Sequence, residues 1–256
     1  MPIVKPGSWI KQMRSSNPEA AVRLCLFPCA GGSASSYQEW TADVPSFLET
    51  FAIQLPGRAN RFLEEPLKTL PPICQALCDE LEQFATVPVA FFGHSLGALI
   101  AFDVCRELRR RKQRLPIHLF VAGRAAPQVL ARKRPIRDLP DAEFLGELNR
   151  MGGIPPEVQE NTELMDLLTP ILKADITLHE TYSLAPEPRL ACPITAFGGV
   201  SDADVTLDDV RGWQEQTEAG FFFHEVEGGH FFVNAERKKL IQIIAARLAG
   251  AGRAGC

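Results

Sequence analysis

The chain has 256 residues, 46% apolar and 23% charged, close to globular averages, which excludes a disordered tail, a collagen and a coiled coil. Its formal charge is −4, so no overall basic field favours nucleic acid. The longest mainly apolar stretch, Val87 to Val104, carries His94, Ser95 and Asp103, side chains too costly to bury in lipid, so no membrane span is expected.

The N-terminal segment MPIVKPGSWIKQMRSSN has no continuous apolar run of the secretory type, and residues 1–20 receive no role. Strands are expected at Val22–Phe27, Phe51–Leu55, Val89–Gly93, Ile117–Ala122, Ile194–Gly198 and Phe221–Val226, each a short apolar run bounded by Pro, Gly or polar residues. Helical patterns lie between them at Pro71–Phe84, Leu96–Arg111, Leu207–Gln216 and Ala235–Leu248. In the first, Ile73, Leu77, Leu81 and Phe84 recur at spacings of four and three and make one apolar face. The alternation fails between about residues 135 and 188, where prolines, charges and helical fragments (Asp141–Arg150, Thr162–Tyr182) stand between two strands. The reading is an α/β fold: one domain over 1–256, a mostly parallel sheet with helices on both faces, and a helical lid inserted at about 135–188.

Seven cysteines, Cys25, Cys29, Cys74, Cys78, Cys105, Cys192 and Cys256, form no Cys-x2-Cys pair, and no His follows at zinc spacing. Most fall inside apolar patterns, as buried free thiols do, so a reducing cytoplasm and no metal or cofactor are expected.

Chemistry concentrates at Gly93-His94-Ser95-Leu96-Gly97, which follows the strand PVAFF and opens the helix LGALIAFDVCREL. A Gly-x-Ser-x-Gly pentapeptide in that setting is a nucleophile elbow, with the serine on a strained turn so tight that only glycine fits two residues to either side. Ala98 and Ala101 let the helix pack closely, and its N-terminus points free N–H groups at the site.

Ser95 needs a base. His94 is steered elsewhere by the turn and reads as packing; His118 reads as a core histidine, His179 lies in the insertion and His224 within the last strand. His230, in Glu227-Gly228-Gly229-His230-Phe231-Phe232, stands just past that strand, where a glycine-rich loop brings an imidazole over the sheet edge. The acid that fixes its tautomer should follow the preceding strand. Asp202 comes first there and Asp204 is the reserve, while Asp208 and Asp209 suit the first turn of the next helix. The chain order Ser…Asp…His is that of the α/β-hydrolases. Of the two amides an oxyanion requires, one is expected from Leu96 and the other from the Gly-rich turn Pro28-Cys29-Ala30-Gly31-Gly32-Ser33, on Ala30 or its neighbour Cys29. Cys29 itself reads as a wall residue, not a nucleophile. No Gly-Lys-Ser/Thr follows and no Gly-x-Gly-x-x-Gly occurs, so neither a phosphate cradle nor a dinucleotide fingerprint is present.

Taken together, FPCAGGSA (27–34) with Tyr37 and Trp40, QLPGR (54–58) with Arg61, Glu64 and Pro66, the elbow, LFVAGRAAP (119–127), Gly199-x-x-Asp202-x-x-Val205 and GGHFF (228–232) resemble, in order over about residues 22–247, the type II thioesterases, the free-standing editing enzymes of polyketide and nonribosomal peptide synthesis. Cys29 stands where that pattern more often has a bulkier aromatic or His, and Leu96 where it often has Met. The resemblance implies a Ser95–His230–Asp202 triad, an oxyanion hole from the amides of Ala30 and Leu96, a flexible helical lid over an acyl channel, and hydrolysis of acyl thioesters held on the phosphopantetheine arm of an acyl or peptidyl carrier protein. A cytoplasmic monomer is expected.

Carrier proteins are generally acidic, and two segments here are basic. Arg106–Arg114 holds six cations and one anion, net +5, and reads as a solvated helix end. Arg124–Asp138 holds five and one, net +4, and its Arg132, Lys133, Arg134 and Arg137, at the start of the insertion, are candidates for docking carrier or pantetheine phosphate. Competing readings are a thioesterase releasing medium-chain fatty acids from acyl carrier protein, a carboxylesterase of soluble esters, and a silent hydrolase fold used as a binding module.

Overall fold

The computed structural model describes residues 7–250 except 15, 16, 18, 85 and 155; Cys256 and the first six residues lie outside the described residues. Seven strands form one sheet: β1 (Ile10–Gln12), β2 (Val22–Phe27), β3 (Leu48–Ile53), β4 (Val89–His94), β5 (Leu119–Ala122), β6 (Ile194–Gly199) and β7 (Phe221–Val226), in the order β1-β3-β2-β4-β5-β6-β7. β1 is antiparallel to β3, and every other neighbouring pair is parallel. The expected α/β architecture is therefore present.

Side-chain alternation along the strands feeds two layers. Cys25, Phe27, Phe91, Leu119 and Val121 face α1 (Leu70–Phe84) and α2 (Leu96–Arg110), with Trp213 in the same layer. Leu24, Leu26, Phe92, Phe120 and Phe197 face the 3₁₀ segment 34–42 and the C-terminal α8 (Arg237–Leu248). The central strands are buried on both faces, which is why they read as unbroken apolar runs.

Several boundaries differ from expectation by a few residues. β3 begins at Leu48, not Phe51, because Glu49 is made acceptable inside by Arg23 and Gln12. β5 begins at Leu119, not Ile117. The segment expected as a helix at Leu207–Gln216 divides into α6 (Leu207–Arg211), capped reciprocally by Thr206 and Asp209, and a 3₁₀ stretch from Gly212.

Between β5 and β6 the chain makes α3 (Asp141–Arg150), α4 (Pro156–Gln159) and α5 (Thr162–Glu180). These have their own apolar centre, built on Phe144, Leu148, Met165, Leu172 and Ile176. No helix among the described residues is long and apolar enough to cross a membrane.

Candidate active site

The carboxyl ends of β2, β4, β6 and β7 deliver the site. β4 turns into α2 through Ser95, whose φ of 53° and ψ of −114° lie outside the ordinary regions and store strain of about 1–3 kcal/mol. The Ser95 amide donates to the Ala122 carbonyl at 2.9 Å, anchoring the turn to β5. A Cβ on Gly97 would stand 2.0 Å from the Phe27 carbonyl oxygen, and one on Gly93 would stand 2.4 Å from that of Gly97. Both glycines are thus demanded by neighbouring backbone that has no room to yield.

The short α7 (Phe232–Ala235) follows the loop after β7, and that loop carries His230. His230 Nε2 lies 3.0 Å from Ser95 Oγ, and its Nδ1 lies 2.8 Å from Asp202 Oδ2. Asp202, in the loop after β6, is almost wholly buried, and its other oxygen accepts the amides of Asp204 and Val205 at 2.9 and 3.1 Å. Nδ1–H therefore donates to the carboxylate and Nε2 is left to accept from the Ser95 hydroxyl. The acid and histidine loops are joined by the Ser201 amide donating to the Gly228 carbonyl at 3.0 Å.

Of the two acids the sequence left open, Asp202 meets His230. Asp204 turns away to Lys133, ahead of α3, and to Arg150, the last residue of α3. The amides of Ala30 and Leu96 donate to no protein acceptor among the described residues, so neither is already spent. Cys29 is half-buried, and burial with the nearby Asp175 carboxylate pushes its thiol up to about 11, too high for a ready thiolate.

His94 is more than packing. Its buried ring donates from Nε2 to the His230 carbonyl at 2.8 Å, and the two imidazole centroids are 5.4 Å apart. Burial, reinforced by His230, lowers its pKa to about 3. A neutral His94 holds the histidine loop without placing a second positive charge beside an imidazolium. No sequence signal separated this role from core filling, because the partner is a backbone carbonyl 136 residues away.

None of the other histidines hydrogen-bonds Ser95 among the described residues. His118 is buried and bonds Thr195 Oγ1 at 2.8 Å; His179, on α5, contacts the Arg124 guanidinium, which together with burial holds it well below its usual value. Three of the four expected docking cations are engaged internally. Arg132 makes a bidentate pair with Asp209 at 2.7 Å, Lys133 meets Asp204, and Arg137 meets Asp138 and Glu180. Arg134 is exposed. The basic end of α2 is engaged too: Arg106, Arg109 and Arg110 converge on Glu187.

The model of the thioesterase domain matches residues 22–248. The gramicidin S biosynthesis protein GrsT of Aneurinibacillus migulanus is 39% identical over 232 residues, 91% of this chain and 91% of the relative. Among solved structures, the RedJ thioesterase from the prodiginine pathway in Streptomyces coelicolor superposes with a TM-score of 0.85 at 34% identity, covering 90% of this chain and 92% of its own. The type II thioesterase BorB from the borrelidin cluster gives 0.83 at 33% identity, covering 94% and 96%.

Proposed function

The chain belongs to the thioesterase family, and we propose that it removes acyl groups from the phosphopantetheine arm of carrier proteins in polyketide or nonribosomal peptide synthesis, through Ser95, His230 and Asp202. The observation that carries this reading is the continuous hydrogen-bond line Ser95 Oγ–His230 Nε2, His230 Nδ1–Asp202 Oδ2, at 3.0 and 2.8 Å.

Ser95 Oγ attacks the thioester carbonyl while its proton passes to His230 Nε2. The carbonyl electron pair moves onto oxygen, and the resulting anion accepts from the amides of Leu96 and Ala30. Each such donor contributes about 3–4 kcal/mol of barrier lowering. Collapse breaks the C–S bond, and the departing sulfur takes the proton from His230, leaving an acyl-serine. Water then attacks with His230 as base; the acyl C–Oγ bond breaks, His230 returns the proton to Ser95 Oγ, and the free acid leaves. Asp202 stabilises the imidazolium in both steps and keeps its charge.

Helices α3 to α5 act as a lid over this site. Ala30 packs against their apolar centre, and Gly152 and Gly153, just after α3, face the Phe231 ring beside His230. The carrier docks near the start of the insert, where Arg134 is exposed and, unlike Arg132, Lys133 and Arg137, meets no carboxylate among the described residues. Reversing all four charges at once would also break the pairs to Asp209, Asp204 and Glu180, so the sharper variant is Arg134→Glu.

A panel of one acyl group on a carrier protein, on coenzyme A and on a small thiol tests the reading. It predicts the highest kcat/KM on the carrier. It also predicts that Arg134→Glu raises KM for the carrier substrate several-fold and leaves the small thioester unchanged. Equal kcat/KM on all three thiols would refute carrier recognition; faster cleavage of oxygen esters would refute the thioesterase assignment.

A further inference from the structure

We propose that Asp175 of α5, locked by Arg58, is a positioning residue for the oxyanion loop, so that the insert is part of the catalytic apparatus and not only a cover. This rests on the assignment of Ala30 as an oxyanion donor.

Asp175 is 1% exposed and Arg58 5%, and they form a bidentate pair, Nη1–Oδ2 at 2.7 Å and Nη2–Oδ1 at 2.8 Å. Asp175 Oδ2 also accepts the Gly31 amide at 2.8 Å, and Arg58 Nη1 donates to the Gly32 carbonyl at 3.3 Å. One ion pair thus grips the two residues that follow Ala30, by their N–H and their C=O. A carboxylate accepting from a backbone amide inside the protein is a strong, directional contact.

A second, independent contact fixes the same loop. Gly31 has a φ of +72°, and a Cβ built on it would stand 2.6 Å from Leu172 Cδ2, one turn before Asp175 on α5. Helix α5 therefore rests directly on the loop. The block QLPGR gains a role: Gln54 Oε1 accepts the Ala34 amide at 3.1 Å, its Nε2 donates to the Arg58 carbonyl at 3.3 Å, and Arg61 Nη1 donates to the Gln54 carbonyl at 3.0 Å. Gln54, Arg58 and Arg61 brace the oxyanion loop from below while Asp175 holds it from the insert.

The consequence is a coupling. If α5 moves away, Gly31 loses its acceptor, Arg58 is left buried without its counter-ion, and the Ala30 amide loses its fixed direction. An uncompensated buried charge is costly, so the pair resists that motion. The oxyanion hole is assembled only with α5 seated.

The test is steady-state hydrolysis of a small acyl thioester by Asp175→Asn and Arg58→Lys, with the unfolding temperature measured alongside. The affinity of an aliphatic trifluoromethyl ketone, which forms a hemiketal oxyanion on serine, is measured on the same proteins. A folded variant should lose about 10²-fold in kcat with KM changed by less than about threefold, and should bind the ketone weaker by a similar factor. Where Asp175→Asn unfolds, Arg58→Lys, which keeps the buried charge, supplies the measurement. A folded variant with kcat and ketone affinity within twofold of the parent overturns the proposal. So does one that loses thermal stability without weakening the ketone, the mark of a purely structural pair. Ser95→Ala run in parallel separates this outcome from failure of the site itself: retained hydrolysis there would refute the nucleophile, not the clamp.

Discussion

The elbow and the insert are held in place by different forces. At the elbow, backbone meets backbone: Gly93 and Gly97 exclude any Cβ, Ser95 is strained, and the surroundings are apolar strands. In the insert, long side chains reach across: Asp175 to Arg58, Lys133 and Arg150 to Asp204, Arg137 to Glu180. Steric fixation tolerates no change, whereas fixation by ion pairs is graded by burial. The Asp175 pair is sealed from water, but Arg150 and Lys133 are about half exposed and gain little from Asp204.

The largest effect expected is on the elbow side. Asp202→Asn should reduce kcat by about 10⁴-fold with little change in unfolding temperature, because the imidazole loses its tautomer and not its packing. A loss under tenfold would mean that Asp204 or another acid serves instead. Next is a paired glycine experiment. Gly97→Ala, driven into the Phe27 carbonyl, should cost 3 kcal/mol or more by urea unfolding, on the order of the worst overpacking cases. Gly146→Ala, on an exposed position of α3 with nothing near its Cβ, should stabilise by about 0.5–1 kcal/mol. Equal costs at both would erase the distinction between the regions.

The sheet offers a pH test. Burial, with Arg247 nearby, lowers His118 to about 4, so below about pH 6.5 the unfolded chain takes up a proton that the folded chain refuses. Stability is fully present above that pH and falls as pH drops towards 4, by about 3 kcal/mol from this residue. His118→Gln should flatten that part of the curve; an unchanged curve would show that His118 is protonated in the fold. The smallest effect belongs to the insert's outer tie: Asp204→Asn should change stability by less than about 1 kcal/mol and kcat by less than twofold.

The same contrast explains what could be read from the chain. Gly93–Gly97 was legible because its constraint is local: five consecutive residues carry the whole geometry, and the flanking strand and helix confirm the setting. His230 and Asp202 were legible because parallel strands must deliver loops to one sheet edge. β1 was not, since three residues pairing antiparallel at the margin leave no pattern. Asp175 was not, because its partner Arg58 is 117 residues earlier and a lone aspartate in a helix looks like a solvated one. That Arg132, Lys133 and Arg137 meet carboxylates was not legible either, because Asp209, Asp204 and Glu180 lie far along the chain.

The proposed mechanism turns on an acyl-serine at residue 95, which intact-mass and peptide mapping read after reaction with an acyl thioester and, separately, with a serine-directed fluorophosphonate. Expected are a stoichiometric fluorophosphonate adduct on Ser95, a transient acyl adduct on the same peptide, and neither in Ser95→Ala, whose hydrolysis is abolished. An adduct on another residue, or hydrolysis by Ser95→Ala near the parent rate, would contradict it.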